Sequence, residues 1–485
     1  MTVLPIQIQL LSYTRCRVYA PPREVLGALD KEFSYPVKGA KFSTRFKKKL
    51  WDGKKHCFSL RTGVFPFGLL GRVLTFLETS GYEIEIEDLR AKKDLPVATP
   101  EFIASIGVDY LEGVTLRDYQ REAIQTALYE KNGILWCSTN SGKTLMAAGI
   151  IQAYGQIAAI EHVEYNVLFL VPGRSNQLQA QRMIAGYLGW KTEDIGLLGD
   201  GHFTIKQVTV AIVAALRPKD PDKKRALREC FSRCTLLIQD ETHHGKAATH
   251  YAVTQSINAP YRIGLSGTPF TGVDDLLVEA TFGHPIYRIT NEELIKRGVS
   301  ARPLIEILPI SEPICKLSGY YYGEVYRLCI VENELRNEMI ADKIEQRIKE
   351  SRPTLVIVDR ISHGDRICQL LVERGIDFEF VFGAGTKTED IERKAGKFER
   401  GEVSVLIASP LFDEARDIKA ARALILASGH KAIRQILQRI GRGLRQKTGD
   451  NTLYITDFAD LTHPLLAQHS LDRLAIYESE NFDVL

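Results

Sequence analysis

The chain has no apolar run of the roughly 18 residues that a membrane-crossing helix needs, so a membrane span is not expected. Its start is apolar but carries neither a basic lead nor a small-residue cleavage site, which disfavours export. Eight cysteines are scattered without the spacing of a disulfide framework, as suits a reducing cytoplasm. Cys230 and Cys234, with His243 and His244 nearby, invite a zinc reading. Their spacing is not that of a zinc knuckle, and the histidines sit inside a better motif. Low-complexity tracts and short-period repeats are also missing. A net charge of +3 decides nothing by itself; where the charge sits is more useful. What remains is an ordinary globular composition, 45% hydrophobic and 25% charged, over 485 residues. That length calls for roughly two to four domains.

Residues 1–112 carry no nucleotide motif and read as a small α/β module. Between Lys38 and Lys55 there are eight Lys/Arg against one acid, Asp52. Phe42, Phe46 and Trp51 are interleaved with them. Such a stretch, with Lys47, Lys48 and Lys49 at its centre, suits a phosphate backbone and offers rings for stacking. The alternative is a solvated basic face whose aromatics point into the module's core.

From 113 to 300 strands and helices alternate. Gly133 to Trp136, Val167 to Val171, Val208 to Val213, Leu236 to Ile238 and Arg262 to Leu265 are the expected strands, and the longer mixed stretches between them read as helices. The rhythm restarts after residue 300, with strands at Thr354 to Val358, Phe378 to Val381, Val403 to Ala408, Ala423 to Ala427 and Leu453 to Thr456. A helix from about Glu332 to Lys349 leads into them. The expectation is an α/β chain of two similar parallel-sheet units joined by a hinge, over 113–300 and 301–467, with a C-terminal tail at 468–485.

Three blocks carry chemistry. Ser141-Gly142-Lys143-Thr144 follows a strand and opens a helix, so backbone N–H groups from Ser138, Thr139, Asn140 and Ser141 onward can meet phosphate oxygens. Lys143 adds a charge and Thr144 a magnesium ligand. This loop departs from the usual phosphate-loop pattern at Cys137 and Asn140, where glycines are expected; asparagine tolerates a left-handed conformation better than most residues. Asp240-Glu241-Thr242-His243 ends a strand, with Asp240 suited to magnesium and Glu241 to orienting or deprotonating a water. Gln438 to Arg445 offers Arg442 and Arg445 three apart on one helical face, able to stabilise charge on a γ-phosphate. Taken singly, these blocks could be a chance match, a solvated turn and an arginine-rich surface helix. In this order they define an ATP site.

Together the blocks resemble superfamily 2 helicases and translocases, in the DExH variant, over about residues 113–460. The resemblance implies two RecA-like domains, ATP and Mg2+ as cofactors, and further roles. Arg117 and Gln120 would read the adenine. Pro172 to Gln179 would touch DNA, although Gly173 replaces the usual threonine. His243, Ser266 and Thr268 would couple hydrolysis to movement. Glu414 and Asp417 are kept in the fifth motif, while Ser409-Pro410 and Ala415 depart from it. Gln438, Arg442 and Arg445 match the sixth. Within the superfamily the chain is similar to the phage UvsW-type recombination and branch-migration helicases. Trp51-Asp52-Gly53 with Phe65 to Leu70, Ile330 to Asn337, and His469 to Tyr477 carry that likeness. It implies a small N-terminal DNA-binding domain.

The resulting expectation is a DNA motor on forked or branched DNA, acting as a monomer in the cytoplasm, the host's if the chain is phage-encoded, with recombination or replication proteins as partners. Two enzyme alternatives share the core: an RNA-remodelling DExH helicase and a restriction or repair translocase, the latter disfavoured because no nuclease motif is evident. A third alternative, from another class, is an ATP-gated DNA clamp that does not unwind.

Overall fold

The computed structural model describes residues 5–91, 97–243, 248–270, 272, 274–314, 322–382, 388–409, 418–429, 446–447 and 449–485. Two compact units emerge: residues up to 138 with 142–289, and residues 139–141 with 290–485. Among the described residues no helix is long and apolar enough to cross a membrane.

The first unit opens with a four-stranded mixed sheet ordered Val64–Pro66, Arg15–Tyr19, Ile6–Ser12, Ile84–Asp88. Helices Arg23–Glu32 and Leu70–Thr79 cover it with Val25, Leu29, Val73 and Leu77. The same core continues into Leu276, Leu277 and Ala280 of a later helix, Leu276–Phe282. The junction is close-packed: a β-carbon on Gly68 would stand 2.1 Å from the Glu279 carbonyl oxygen. Arg72 pairs with Glu279 at 2.7 Å, and the Tyr13 N–H donates to Asn258 Oδ1 at 3.0 Å.

The rest of this unit is an eight-stranded sheet. Its order is His202–Thr204, Gly196–Gly199, Val208–Ile212, Val167–Val171, Leu236–Asp240, Tyr261–Ser266, Asn132–Cys137, Pro285–Ile289. Every ladder is parallel except that between the first two strands. The expected strands all appear, each within two residues of its expected ends. The pair at 196–204 and the strand Pro285–Ile289 had no expectation.

The second unit holds a seven-stranded, wholly parallel sheet ordered Phe378–Val381, Val405–Ala408, Thr354–Ile357, Ala423–Leu426, Thr452–Asp460, Arg302–Ile310, Asp483–Val484. Successive residues of one strand join different cores, as the two-residue side-chain period demands. Leu355, Ile357, Leu406 and Leu424 pack with Phe398 and Tyr477, while Val356, Val358, Ile407 and Ile425 pack with Ile340, Ile344 and Ile367. Both faces are therefore covered. The residues after 467 complete the helix Pro464–Ser479 and add the last strand to the sheet edge.

Candidate active site

The strands Asn132–Cys137, Leu236–Asp240 and Tyr261–Ser266 run parallel, so their carboxyl ends fall on one edge of the sheet. That edge is where parallel α/β sheets deliver their functional loops. Cys137 ends its strand with its side chain wholly buried against Met146 Sδ at 3.8 Å. An extended strand position does not require glycine, which accounts for the cysteine there. Burial pushes its thiol up to about 12, against the pull of Lys143, so it is no nucleophile at neutral pH.

Two left-handed residues turn the loop: Asn140 at φ 78° and Gly142 at φ 90°. Gly142 is needed for its φ, and Gln120 Nε2 packs 2.6 Å from where a β-carbon would stand. Gln120 is thus held against the phosphate loop, and its Oε1 accepts the Arg117 N–H at 3.0 Å. Gln120 is buried while Arg117, capping the helix Asp118–Glu130, is exposed. Lys143 begins the helix Lys143–Ile160, and Thr144 follows it, half-buried.

Lys143 Nζ lies 3.5 Å from the Cys137 carbonyl oxygen and 3.8 Å from Glu241 Oε1. Glu241 has φ 48°, unusual for a residue with a β-carbon, and its N–H donates to Asp240 Oδ1 at 2.9 Å. Glu241 Oε2 is 3.2 Å from His243 Nδ1 and accepts from the Ser266 hydroxyl at 3.5 Å. His243 Nδ1 is also 3.4 Å from that hydroxyl, which accepts the Thr268 N–H at 3.2 Å. The path from Lys143 through Glu241, His243 and Ser266 to Thr268 is continuous.

Burial first, and the neighbouring Glu241 second, push the Asp240 carboxyl up to about 7, although Lys143 pulls the other way. Oxygen donors from a hydroxyl (Thr144) and a carboxylate (Asp240) fit a hard divalent cation such as Mg2+.

One contributor had no sequence expectation. The Trp136 indole N–H donates to the Gly267 carbonyl at 3.0 Å, tying the strand before the phosphate loop to the middle of Ser266-Gly267-Thr268. Arg288 lies 4.4 Å over its ring and Phe270 meets it edge-on at 5.6 Å.

Elsewhere, Lys47, Lys48 and Lys49 are exposed and Trp51 is half-buried, its indole donating to the Lys54 carbonyl at 2.7 Å. Phe42 and Phe46 are also exposed, at 73% and 38%, not in the module's core. Pro172 is half-buried and Gln179 exposed at the start of the helix Arg174–Leu188. Glu414, Asp417, Gln438, Arg442 and Arg445 lie outside the described residues.

Comparison with known proteins agrees with this arrangement. Residues 113–271 match the model for the type III restriction enzyme res subunit, and residues 335–447 the helicase conserved C-terminal domain. Residues 5–87 match the model for the DNA helicase UvsW N-terminal domain. The chain is a superfamily 2 helicase with two RecA-like domains. Within that class it is UvsW-like. It is 24% identical over 482 residues to the ATP-dependent DNA helicase uvsW of Enterobacteria phage T4, covering 93% of each chain. It is 29% identical over 372 residues to the DNA 3'-5' translocase XPB2 of Sulfurisphaera tokodaii, covering 69% of this chain and 79% of that one. Among solved structures, S. cerevisiae Dbp5 bound to RNA and ADP BeF3 aligns with a TM-score of 0.53 at 15% identity, over 81% of this chain and 95% of that one. That likeness concerns the fold.

Proposed function

We propose that this helicase is an ATP-dependent DNA translocase that unwinds or branch-migrates forked and recombination DNA. The observation that carries the reading is the continuous path of side chains from Lys143 to Ser266, ending on the Thr268 N–H, which joins a phosphate-binding loop to the segment expected to couple hydrolysis to movement. The names of the phage T4 and Sulfurisphaera relatives support DNA as the substrate. The working division is a DNA-binding module at 1–112 and RecA-like domains at 113–300 and 301–467, with 468–485 supplying the last helix turns and edge strand of the second sheet rather than a separate tail.

In this mechanism Gln120 and Arg117 hold the adenine, and the loop from Ser138 through Thr144 wraps the phosphates. Lys143 sets its charge against the β- and γ-phosphates. Thr144 and Asp240 would hold Mg2+, which supplies charge neutralisation between the phosphates when bound. Glu241, fixed by His243 and Ser266, orients the attacking water and takes its proton. Arg442 and Arg445, with Gln438 of the same motif, stabilise the developing γ-phosphate charge. Ser266 and Thr268 relay the loss of the γ-phosphate, and Glu414 and Asp417 belong to the same coupling set. Lys47, Lys48, Lys49, Trp51, Pro172 and Gln179 contact DNA, chiefly its backbone, so binding falls steeply with salt and discriminates little between sequences.

ATP hydrolysis measured with no nucleic acid, single-stranded DNA, forked DNA, a four-way junction and matched RNA tests this. Stimulation by forks and junctions, lost in Lys143→Ala, is the expected result. Stimulation by RNA alone would make the chain an RNA-remodelling enzyme. ATP-dependent DNA binding without turnover would make it a clamp.

A further inference from the structure

The helix Pro221–Arg233 has two unlike faces. On one, charges are matched: Arg225 with Asp222 at 3.4 Å, Arg233 with Glu229 at 3.8 Å and with Glu164 at 2.8 Å. On the other, Lys224, Leu227, Arg228 and Phe231 recur at helical spacing and form one stripe. Leu227 is buried as the floor, while Lys224 and Arg228 stand exposed. The segment Leu216 to Lys219 faces this stripe and closes a groove of about 430 Å³.

Arg217, Lys219, Lys224 and Arg228 line that groove, and among the described residues no carboxylate does. Among the described residues none of the four forms an ion pair. Two acids adjoin the set in sequence: Glu229 beside Arg228 pairs with Arg233, and Asp220 beside Lys219 caps the helix end, its carboxylate accepting the N–H groups of Lys223 and Asp222 at 3.2 and 2.8 Å, which hold it below its ordinary pKa. Two cations on this helix face and two on the segment before it are kept together, beside a face where both arginines are matched. A polyanion accounts for it.

Placement narrows the choice. The groove segment follows the strand Val208–Ile212, which runs parallel to Val167–Val171 and through it to Leu236–Asp240. It therefore leaves the sheet at the same edge as Asp240 and the phosphate loop. The groove is open, its floor is apolar, and its cations are on long exposed side chains. That suits a repeating phosphate backbone, which needs charge but no fixed donor geometry.

We propose that this groove is a further nucleic-acid contact on the first RecA-like domain, distinct from Pro172 to Gln179 and from Lys47 to Lys49 of the N-terminal module, and that it takes the phosphate backbone of a DNA arm. The inference rests on the DNA reading above. Its test compares forked-DNA affinity from about 50 to 200 mM salt for three full-length chains. These are the unmodified protein, the neutralised R217A/K219A/K224A/R228A variant, and the charge-retaining R217K/K219R/K224R/R228K variant, with thermal midpoints recorded for each. Each lost duplex phosphate contact lowers the slope of log K against log salt by about 0.9. The neutralised variant should lose about 2 to 4 of slope and bind at least about tenfold more weakly at moderate salt, while the charge-retaining variant keeps both. An unchanged slope and affinity after neutralisation overturns this inference alone, as does an equal loss in the charge-retaining variant. Failure of the unmodified chain to bind DNA at any salt overturns the DNA reading and this inference with it.

Discussion

Each unit keeps two acidic side chains near the carboxyl end of one strand of its parallel sheet, and the two pairs are treated in opposite ways. In the second unit, Asp457 and Asp460 are buried and saturated. Arg473 Nε lies 2.8 Å from Asp457 Oδ2, which also accepts the Tyr477 hydroxyl at 2.8 Å. Arg336 Nε lies 2.7 Å from Asp460 Oδ1, and its Nη1 donates to the Ala427 carbonyl at 2.7 Å. In the first unit, Glu241 lies 3.8 Å from Lys143 and 3.2 Å from His243, while burial pushes the neighbouring Asp240 up to about 7. A buried carboxylate with short arginine contacts is scaffold, because its charge is spent. A buried carboxyl pushed up by its surroundings, beside a glutamate held at φ 48°, is ready to meet a cation and a phosphate.

The comparison can be broken most forcefully at Glu241. Glu241→Gln should lower turnover by about 10² to 10⁴, the range for losing a positioned general base, while ATP binding and thermal stability persist. Steady-state hydrolysis alongside nucleotide-binding titration measures both; near-normal turnover would remove Glu241 from its assigned role. Arg473→Ala should do the reverse. Removing one partner of a buried pair costs about 3–5 kcal/mol of folding stability, read from denaturant unfolding of the second unit. A loss well below that would mean the Asp457 pair is not scaffold.

The smallest effect concerns acidity. The folded pKa of Asp240 is above its ordinary 3.8, so the fold favours the neutral acid. The associated stability is complete below about pH 4 and is lost as pH rises through about 7. Without nucleotide or divalent cation, unmodified protein should lose thermal stability across that window relative to Asp240→Asn. Parallel pH profiles of the two would place the raised acid elsewhere.

Much of this was legible in the sequence because the parallel strands are short apolar runs between turn residues, as at Val167–Val171 and Phe378–Val381. Strands that break that pattern were not. Gly196–Gly199 begins and ends in glycine, and Arg302–Ile310 contains Pro303 and Pro309, which read as breakers. The latter tolerates them at a sheet margin, where the short strand Asp483–Val484 pairs on its far side at Leu304 and Ile305. For the site, motif spacing named Lys143, Asp240 and Glu241. It could not place the Trp136 indole on a carbonyl 131 residues away, nor separate the matched and unmatched faces of Pro221–Arg233, since both depend on tertiary neighbours.

The seam between Gly68 and the Leu276–Phe282 helix bears on how such a chain can be dissected. A truncation that removes the first sheet would not free a self-sufficient catalytic core. It would strip the cover from Leu276, Leu277 and Ala280 and leave Glu279 without Arg72. The seven residues of that helix begin eight positions after Thr268, so the damage would fall close to the coupling segment. Loss of activity on deleting the N-terminal module would therefore report a wounded engine as readily as a missing DNA grip, and point substitutions on the module's surface are the cleaner instrument.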